Sequence, residues 1–305
     1  MPNMSKPLVS LNPGPAPKGR MVKAGKDEYY TIEKGSGDRV IFLLHGGGPG
    51  CTAWSDFAVV SHMFAEHYRV IMPDLLQYGQ SSKDIIEGPM WDYHSGSITR
   101  LMDTLGVEKA DFVCNSWGGT IALRLASRFP DRVRSLTITG SMPVFRGPLC
   151  PLPEGGRRGR NARDIYYGGD EGPTLDKMRQ LMARLEWYNP DLIPEETVKM
   201  RFEQSLNKEE MALAANADSP RGEWQEMEPV LKDVACPTLF CWGLQDDFLT
   251  PDYPLMLMNM VQRGQLHLLD ASSHHLQEER PEHYFHIVHG FLQQPHDEVM
   301  EQAKS

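Results

Sequence analysis

The chain has 305 residues, enough to bury one large α/β core with an insertion or two domains. Its 40% hydrophobic and 24% charged content is ordinary for a folded protein in water. A net charge of -10 argues against nucleic acid as a partner, because a phosphate backbone selects a basic face; no apolar run approaches the roughly 18 residues of a membrane helix.

The first twenty residues, MPNMSKPLVSLNPGPAPKGR, have no apolar core of a secretory signal, and their Pro and Gly content predicts a flexible arm over 1–20. Five scattered cysteines, Cys51, Cys114, Cys150, Cys236 and Cys241, carry no C-x-x-C spacing. They point to reduced thiols and a cytoplasmic location, not to a disulfide framework or a zinc site.

Strands are expected at Tyr29–Ile32 and at Arg39–Leu44, the second a continuous apolar run suited to a buried parallel sheet. That run ends in His45-Gly46-Gly47-Gly48-Pro49-Gly50, where backbone can approach a ligand closely. Another strand, Tyr68–Met72, meets Pro73-Asp74. Helical spacing of Ile98, Leu101, Met102 and Leu105 precedes a strand at Asp111–Cys114; a helix over Ile121–Phe129 closes at Pro130, and a strand at Val133–Gly140 follows. Such alternation predicts a mostly parallel, doubly wound sheet.

From about Met142 to Pro229 the chain is polar and helical, and it carries the basic loop Arg157, Arg158, Arg160 and Arg163. This loop is read as solvated. Strands resume at Pro237–Trp242 and Leu266–Leu269. The expected organisation is a core over 21–141 and 230–305, with 142–229 an all-helical lid over the carboxyl ends of the strands, where such sheets bind ligands.

The run Phe112-Val113-Cys114-Asn115-Ser116-Trp117-Gly118-Gly119 has the pattern of a nucleophile elbow with Cys114 in place of the first Gly. A Ser hydroxyl needs a His base, and the His needs a carboxylate. Gly243-Leu244-Gln245-Asp246-Asp247 follows one late strand, and Asp270-Ala271-Ser272-Ser273-His274-His275 follows the last. Ser116, an acid and a His thus fall on one rim in the order Ser, acid, His.

On these residues the chain resembles the α/β-hydrolases, and within them the meta-cleavage-product hydrolases that cut carbon-carbon bonds of 2-hydroxy-6-oxo-dienoates. The resemblance spans nearly everything after the arm. It rests on Leu44 to Gly50, Ala53-Trp54-Ser55, Asn115-Ser116-x-Gly118-Gly119, Ile193-Pro194-Glu195-Glu196 to Arg201-Phe202, and Arg263-x-Gln265-Leu266-His267. It implies an α/β-hydrolase fold, a nucleophile at Ser116, a proton shuttle at His274, oxyanion donors at Gly47 and Trp117, a substrate carboxylate held by Arg201, and pocket walls at Asn115 and Trp224. No cofactor or metal is implied. The partner is a carboxylate-bearing small molecule, and a homodimer is the general expectation for such enzymes.

Counting from Gly243 places the acid at Asp246, while Pro251 in a D-x-x-x-P frame favours Asp247. For the base, Glu279 and Pro281 fit an H-x-x-x-x-E-x-P tail starting at His274, which makes His275 a substrate-facing residue where the family has Trp. Asp56 stands where the family often has Asn. These departures leave a carboxylesterase or lactonase on the same triad as the alternative, and a catalytically silent binding relative as a third class. His283, His286 and His289 recur every third residue but drift around a helix, and surface or packing roles are expected.

Overall fold

The computed structural model describes residues 9–144, 166–215 and 221–296. Eight strands form one sheet: β1 (Arg20–Ala24), β2 (Asp27–Lys34), β3 (Val40–Leu44), β4 (Arg69–Pro73), β5 (Ala110–Asn115), β6 (Val133–Thr139), β7 (Thr238–Gly243) and β8 (Gly264–Leu269). Their order is β1-β2-β4-β3-β5-β6-β7-β8. β2 pairs antiparallel with β1 and β4, and every later pairing is parallel. The apolar runs account for this: β5 and β7 are buried along their whole length, as strands covered on both faces must be.

One face is covered by α1 (Ala53–Ala65) and the carboxyl-terminal helix, the other by α2 (Met90–Thr104) and α3 (Trp117–Arg128). Thr52 opens α1 through a reciprocal capping box with Ser55. Phe42 stacks on Phe112 in the second layer, with ring centroids 5.3 Å apart.

The inserted segment contributes α4 (Leu175–Leu181), a π-helical turn Met182–Glu186, α5 (Glu195–Ser205), α6 (Lys208–Ala215) and the short α7 (Glu228–Leu231). Its described elements are helices, and Tyr166, Met178, Leu181, Met182, Leu185 and Val198 form a small apolar core of their own. The basic loop with Arg157, Arg158, Arg160 and Arg163, and Cys150, lie outside the described residues. After β7 come α8 (Asp252–Met258), α9 (Leu276–Glu279) and α10 (Pro281–Leu292).

The described part of the amino-terminal arm lies on the lid and α1. Leu11 joins the lid's apolar core, and the Trp54 Nε1–H donates to the Gly14 carbonyl at 3.2 Å.

Candidate active site

β5 delivers its last residue, Asn115, and the chain turns at once into α3 with Ser116 at φ 48°, ψ -113°. This positive φ is costly for a residue with a Cβ, and the surroundings hold it. The Ser116 amide donates to the Thr139 carbonyl at 2.7 Å, and the Gly118 amide to the His45 carbonyl at 3.1 Å. A Cβ at Gly118 would lie 2.2 Å from the Leu44 oxygen, and one at Gly119 would lie 2.0 Å from the Ser141 hydroxyl. Only glycines let α3 sit this close to β3 and to the end of β6. Cys114 meets no such constraint: it lies within β5, fully buried among Leu44 and Ile138, and burial holds its thiol well above the ordinary range.

Asp246 follows β7 and His274 follows β8. The two loops are laced by the Leu244 amide to the Leu269 carbonyl and the Gln245 amide to the Ser272 carbonyl, at 2.9 and 3.0 Å. His274 Nδ1 lies 3.0 Å from Asp246 Oδ2, with both side chains buried. The other carboxylate oxygen accepts from the Phe248 and Leu249 amides at 2.8 and 3.1 Å. That fixes the carboxylate, which places the imidazole proton on Nδ1 and frees Nε2 to act as a base. His274 and Ser116 both lie at the end of β6: a Cβ on Gly140 would fall 2.5 Å from the His274 ring, and the Ser116 amide is bonded to Thr139.

The loop after β3 is pinned at each residue. The Gly46 amide donates to Asp56 Oδ2 at 2.8 Å, the Tyr78 hydroxyl donates to the Gly47 carbonyl at 3.0 Å, and Arg201 donates to the Pro49 carbonyl. His45 accepts the Leu75 amide at Nε2, so its Nδ1–H donates to the Gly46 carbonyl at 2.7 Å. A Cβ at Gly47 would lie 2.7 Å from the Trp117 ring, so the two expected oxyanion residues touch. Trp117 opens α3, and its amide is among those a helix leaves without an internal acceptor.

Four other expected residues are placed as follows. Asn115 is fully buried, and neither atom of its amide has a hydrogen-bond partner among the described residues. Trp224 is about two-fifths exposed and meets Trp91 and Trp117 edge-on, with centroids 5.1 and 6.2 Å away. Arg201 is fully buried on α5, and its guanidinium grips both oxygens of Glu186. His275 is buried with Nδ1 on Glu278 and Nε2 4.0 Å from Glu186 Oε2.

Arg201, His275, Asp56, Glu186 and Glu278 thus form one buried ionic cluster against the loop after β3. Burial favours the neutral acid of Glu186, but Arg201 and His275 outweigh it and hold the carboxyl below its usual range. Asp56 is likewise kept ionised against burial by His275, His45 and Arg201. Burial pulls the His275 imidazolium down, yet the carboxylates of Glu186, Glu278 and Asp56 prevail and set its pKa at about 9. Glu186 and Glu278 gave no motif in the sequence. Glu279, singled out by the tail pattern of the resembled family, accepts the Ser273 and Asn189 amides at 2.9 and 2.8 Å and so ties the His274 loop to the lid.

The cluster predicts a pH effect. Because the folded pKa of His275 exceeds its ordinary 6.5, its stabilisation is complete below that value and is lost as pH rises through about 9. His275→Gln leaves the carboxylates of Asp56 and Glu186 facing one arginine, with Glu278 largely protonated at pH 6 because burial raises its carboxyl to about 7, and should cost about 3 kcal/mol at that pH. Urea unfolding at pH 6 and pH 9.5 should show the gap to the unsubstituted protein narrowing; a constant gap would remove His275 as the source.

His289 Nδ1 bonds the Tyr68 hydroxyl at 2.9 Å and its ring stacks on Phe285, so this member of the histidine series packs against the core. Among the described residues no group of three His, Cys, Asp or Glu is placed to hold a metal ion, and no helix is long and apolar enough to cross a membrane.

Residues 40–281 match the family described as alpha/beta hydrolase fold. The chain is 30% identical over 282 residues to a 2-hydroxy-6-oxo-2,4-heptadienoate hydrolase of Pseudomonas putida, covering 90% of this chain and 96% of that one. It is 30% identical over 257 residues to a 2-hydroxymuconate semialdehyde hydrolase of a Pseudomonas species, covering 83% and 86%. Among solved structures, the 2-hydroxy-6-oxo-6-phenylhexa-2,4-dienoate hydrolase of a Rhodococcus species superposes with a TM-score of 0.76 at 26% identity, over 90% of this chain and 98% of that one. With Ser116, Asp246 and His274 following three strands of a mostly parallel sheet, the chain belongs to the α/β-hydrolase family, and its sequence is similar there to hydrolases of 2-hydroxy-6-oxo-dienoates.

Proposed function

We propose that this protein hydrolyses a carbon-carbon bond of a 2-hydroxy-6-oxo-dienoate, a ring-fission product of aromatic degradation. The observation that carries the reading is the Asp246–His274 pair at 3.0 Å on the rim that also presents Ser116, in a chain whose relatives are named for that substrate class.

In this account the bound enol tautomerises to the ketone, which makes the bond beside the distal carbonyl cleavable. His274 takes the Ser116 proton as Oγ attacks that carbonyl, and the Gly47 and Trp117 amides receive the oxyanion. Collapse expels a 2-hydroxydienoate as the carbon leaving group, protonated through His274. Water, activated by the same imidazole, then releases the carboxylic acid and restores Ser116. The unpartnered Asn115 amide and the Trp224 ring flank the substrate, and Arg201 is the cation for its carboxylate.

A carboxylesterase or lactonase is the second reading, because Arg201 already bonds Glu186 and a neutral substrate would not need it. Ring-fission dienoates assayed beside aryl esters and lactones separate the two. Dienoate decay is expected to dominate; ester turnover with no dienoate decay at any pH sinks the first reading. Arg201→Met together with Glu186→Met leaves no buried charge of the pair unpaired, and it should cut dienoate kcat/KM by roughly 100-fold while ester turnover changes only a few-fold.

A further inference from the structure

Arg201 has five N–H donors, and four are engaged inside the protein. Nη1 and Nη2 each meet one oxygen of Glu186, while Nε and Nη2 share the Pro49 carbonyl at 3.2 and 3.0 Å. This two-oxygen grip is the geometry by which an arginine takes a carboxylate ligand. Glu186 is therefore placed as a substrate carboxylate would be.

The pair lies against the loop that carries Gly47. A Cβ on Gly48 would be 3.0 Å from Arg201 Nη2 and 3.5 Å from Glu186 Oε1, and a Cβ on Gly50 would be 1.8 Å from the Arg201 carbonyl. Glu186 ends the π-helical turn Met182–Glu186, a local irregularity that interrupts the lid between α4 and α5. Its carboxylate has a second cation within reach: His275 Nε2 is 4.0 Å away, with Nδ1 of that ring held by Glu278. In the cluster Asp56 and Glu186 are ionised against Arg201 and a protonated His275, and Glu278, its carboxyl pushed up to about 7 by burial, adds a further negative charge as it ionises. Adding a substrate carboxylate beside a Glu186 left in place would pack like charges in a buried site.

We infer that Glu186 is a specificity-determining residue, an internal carboxylate that fills the Arg201 fork so that an anionic substrate gains this cation only by displacing Glu186 toward His275. The inference rests on the proposed role of Arg201 and adds a threshold to it. Carboxylate-bearing substrates bind against an internal competitor; neutral ones do not meet it.

Benzoate, a carboxylate with no bond for the enzyme to cut, tests this by titration calorimetry on the full-length protein. Glu186→Gln should tighten benzoate binding by about tenfold or more, because the fork is released from an ionised competitor. At pH 8, above the value of about 7 to which burial raises Glu278, Glu278→Gln removes the same negative charge from the cluster without touching the fork, and should tighten binding less than about twofold. Adding Arg201→Met to Glu186→Gln should abolish the gain. No tightening in Glu186→Gln, equal tightening in Glu278→Gln, or a gain that survives the loss of Arg201 would each overturn the inference; near-UV circular dichroism checks that each variant retains its packing. Since benzoate undergoes no reaction, failure of dienoate turnover would sink the proposed activity and leave this result standing.

Discussion

Ser116→Ala lowers turnover by about a millionfold, the effect seen when the nucleophile of a serine triad is lost, and it ends labelling by a serine-directed phosphonate. The expectation rests on the elbow: Ser116 sits at φ 48° between a buried strand end and the first turn of α3, with its amide locked to Thr139. The same geometry separates two variants that are equally dead. Ser116→Gly removes the Cβ that makes this conformation costly, so it should be about 1 kcal/mol more stable than Ser116→Ala in urea unfolding. Ordinarily Gly is the less stable of the two outside the left-handed region. If Ala proves as stable as Gly, the turn is not strained; if labelling survives in Ser116→Ala, the phosphonate reports another serine, and the silent-relative reading gains ground.

The candidate triad was legible because the parallel sheet imposes a rule on sequence: each strand end points to the same rim, so a Ser, an acid and a His that follow three buried runs are brought to one side of the sheet. The loop glycines were legible for the same reason, since backbone crossing at a strand end leaves no room for a Cβ. What lay beyond sequence is the identity of partners. Arg201 reads as a cation on a lid helix, but its carboxylate, Glu186, is delivered by a π-turn that follows no helical period. Asp56, expected to make the substrate-side wall more acidic, also accepts the Gly46 amide and so holds the loop that carries Gly47, a partnership no motif announced. His275, expected on the substrate side, has its ring 5.6 Å from that of His274, and its ties to Glu278 and Glu186 could not be read from the sequence. β1 escaped notice because only two of its five residues are buried, too weak an alternation to stand out from an arm rich in Pro and Gly.

Asp246→Asn should lower kcat by about ten-thousandfold, whereas Asp247→Asn should stay within a few-fold of the unsubstituted enzyme. The two neighbours compete in sequence, since the count from Gly243 favours one and the spacing to Pro251 favours the other. Geometry separates them. Asp246 is buried with Oδ2 on His274 Nδ1 and Oδ1 capped by two backbone amides, while Asp247 is partly exposed. Pro251 directly precedes α8, which gives it a helix-opening role independent of the acid. In Asp246→Asn the new amide keeps its shape but can present N–H to the imidazole, which favours the tautomer with its proton on Nε2 and leaves no base facing Ser116. Folding should be little affected, because Oδ1 can still accept the Phe248 and Leu249 amides. A large loss in Asp247→Asn with near-normal turnover in Asp246→Asn would move the acid one residue along and require the loop after β7 to rearrange during catalysis.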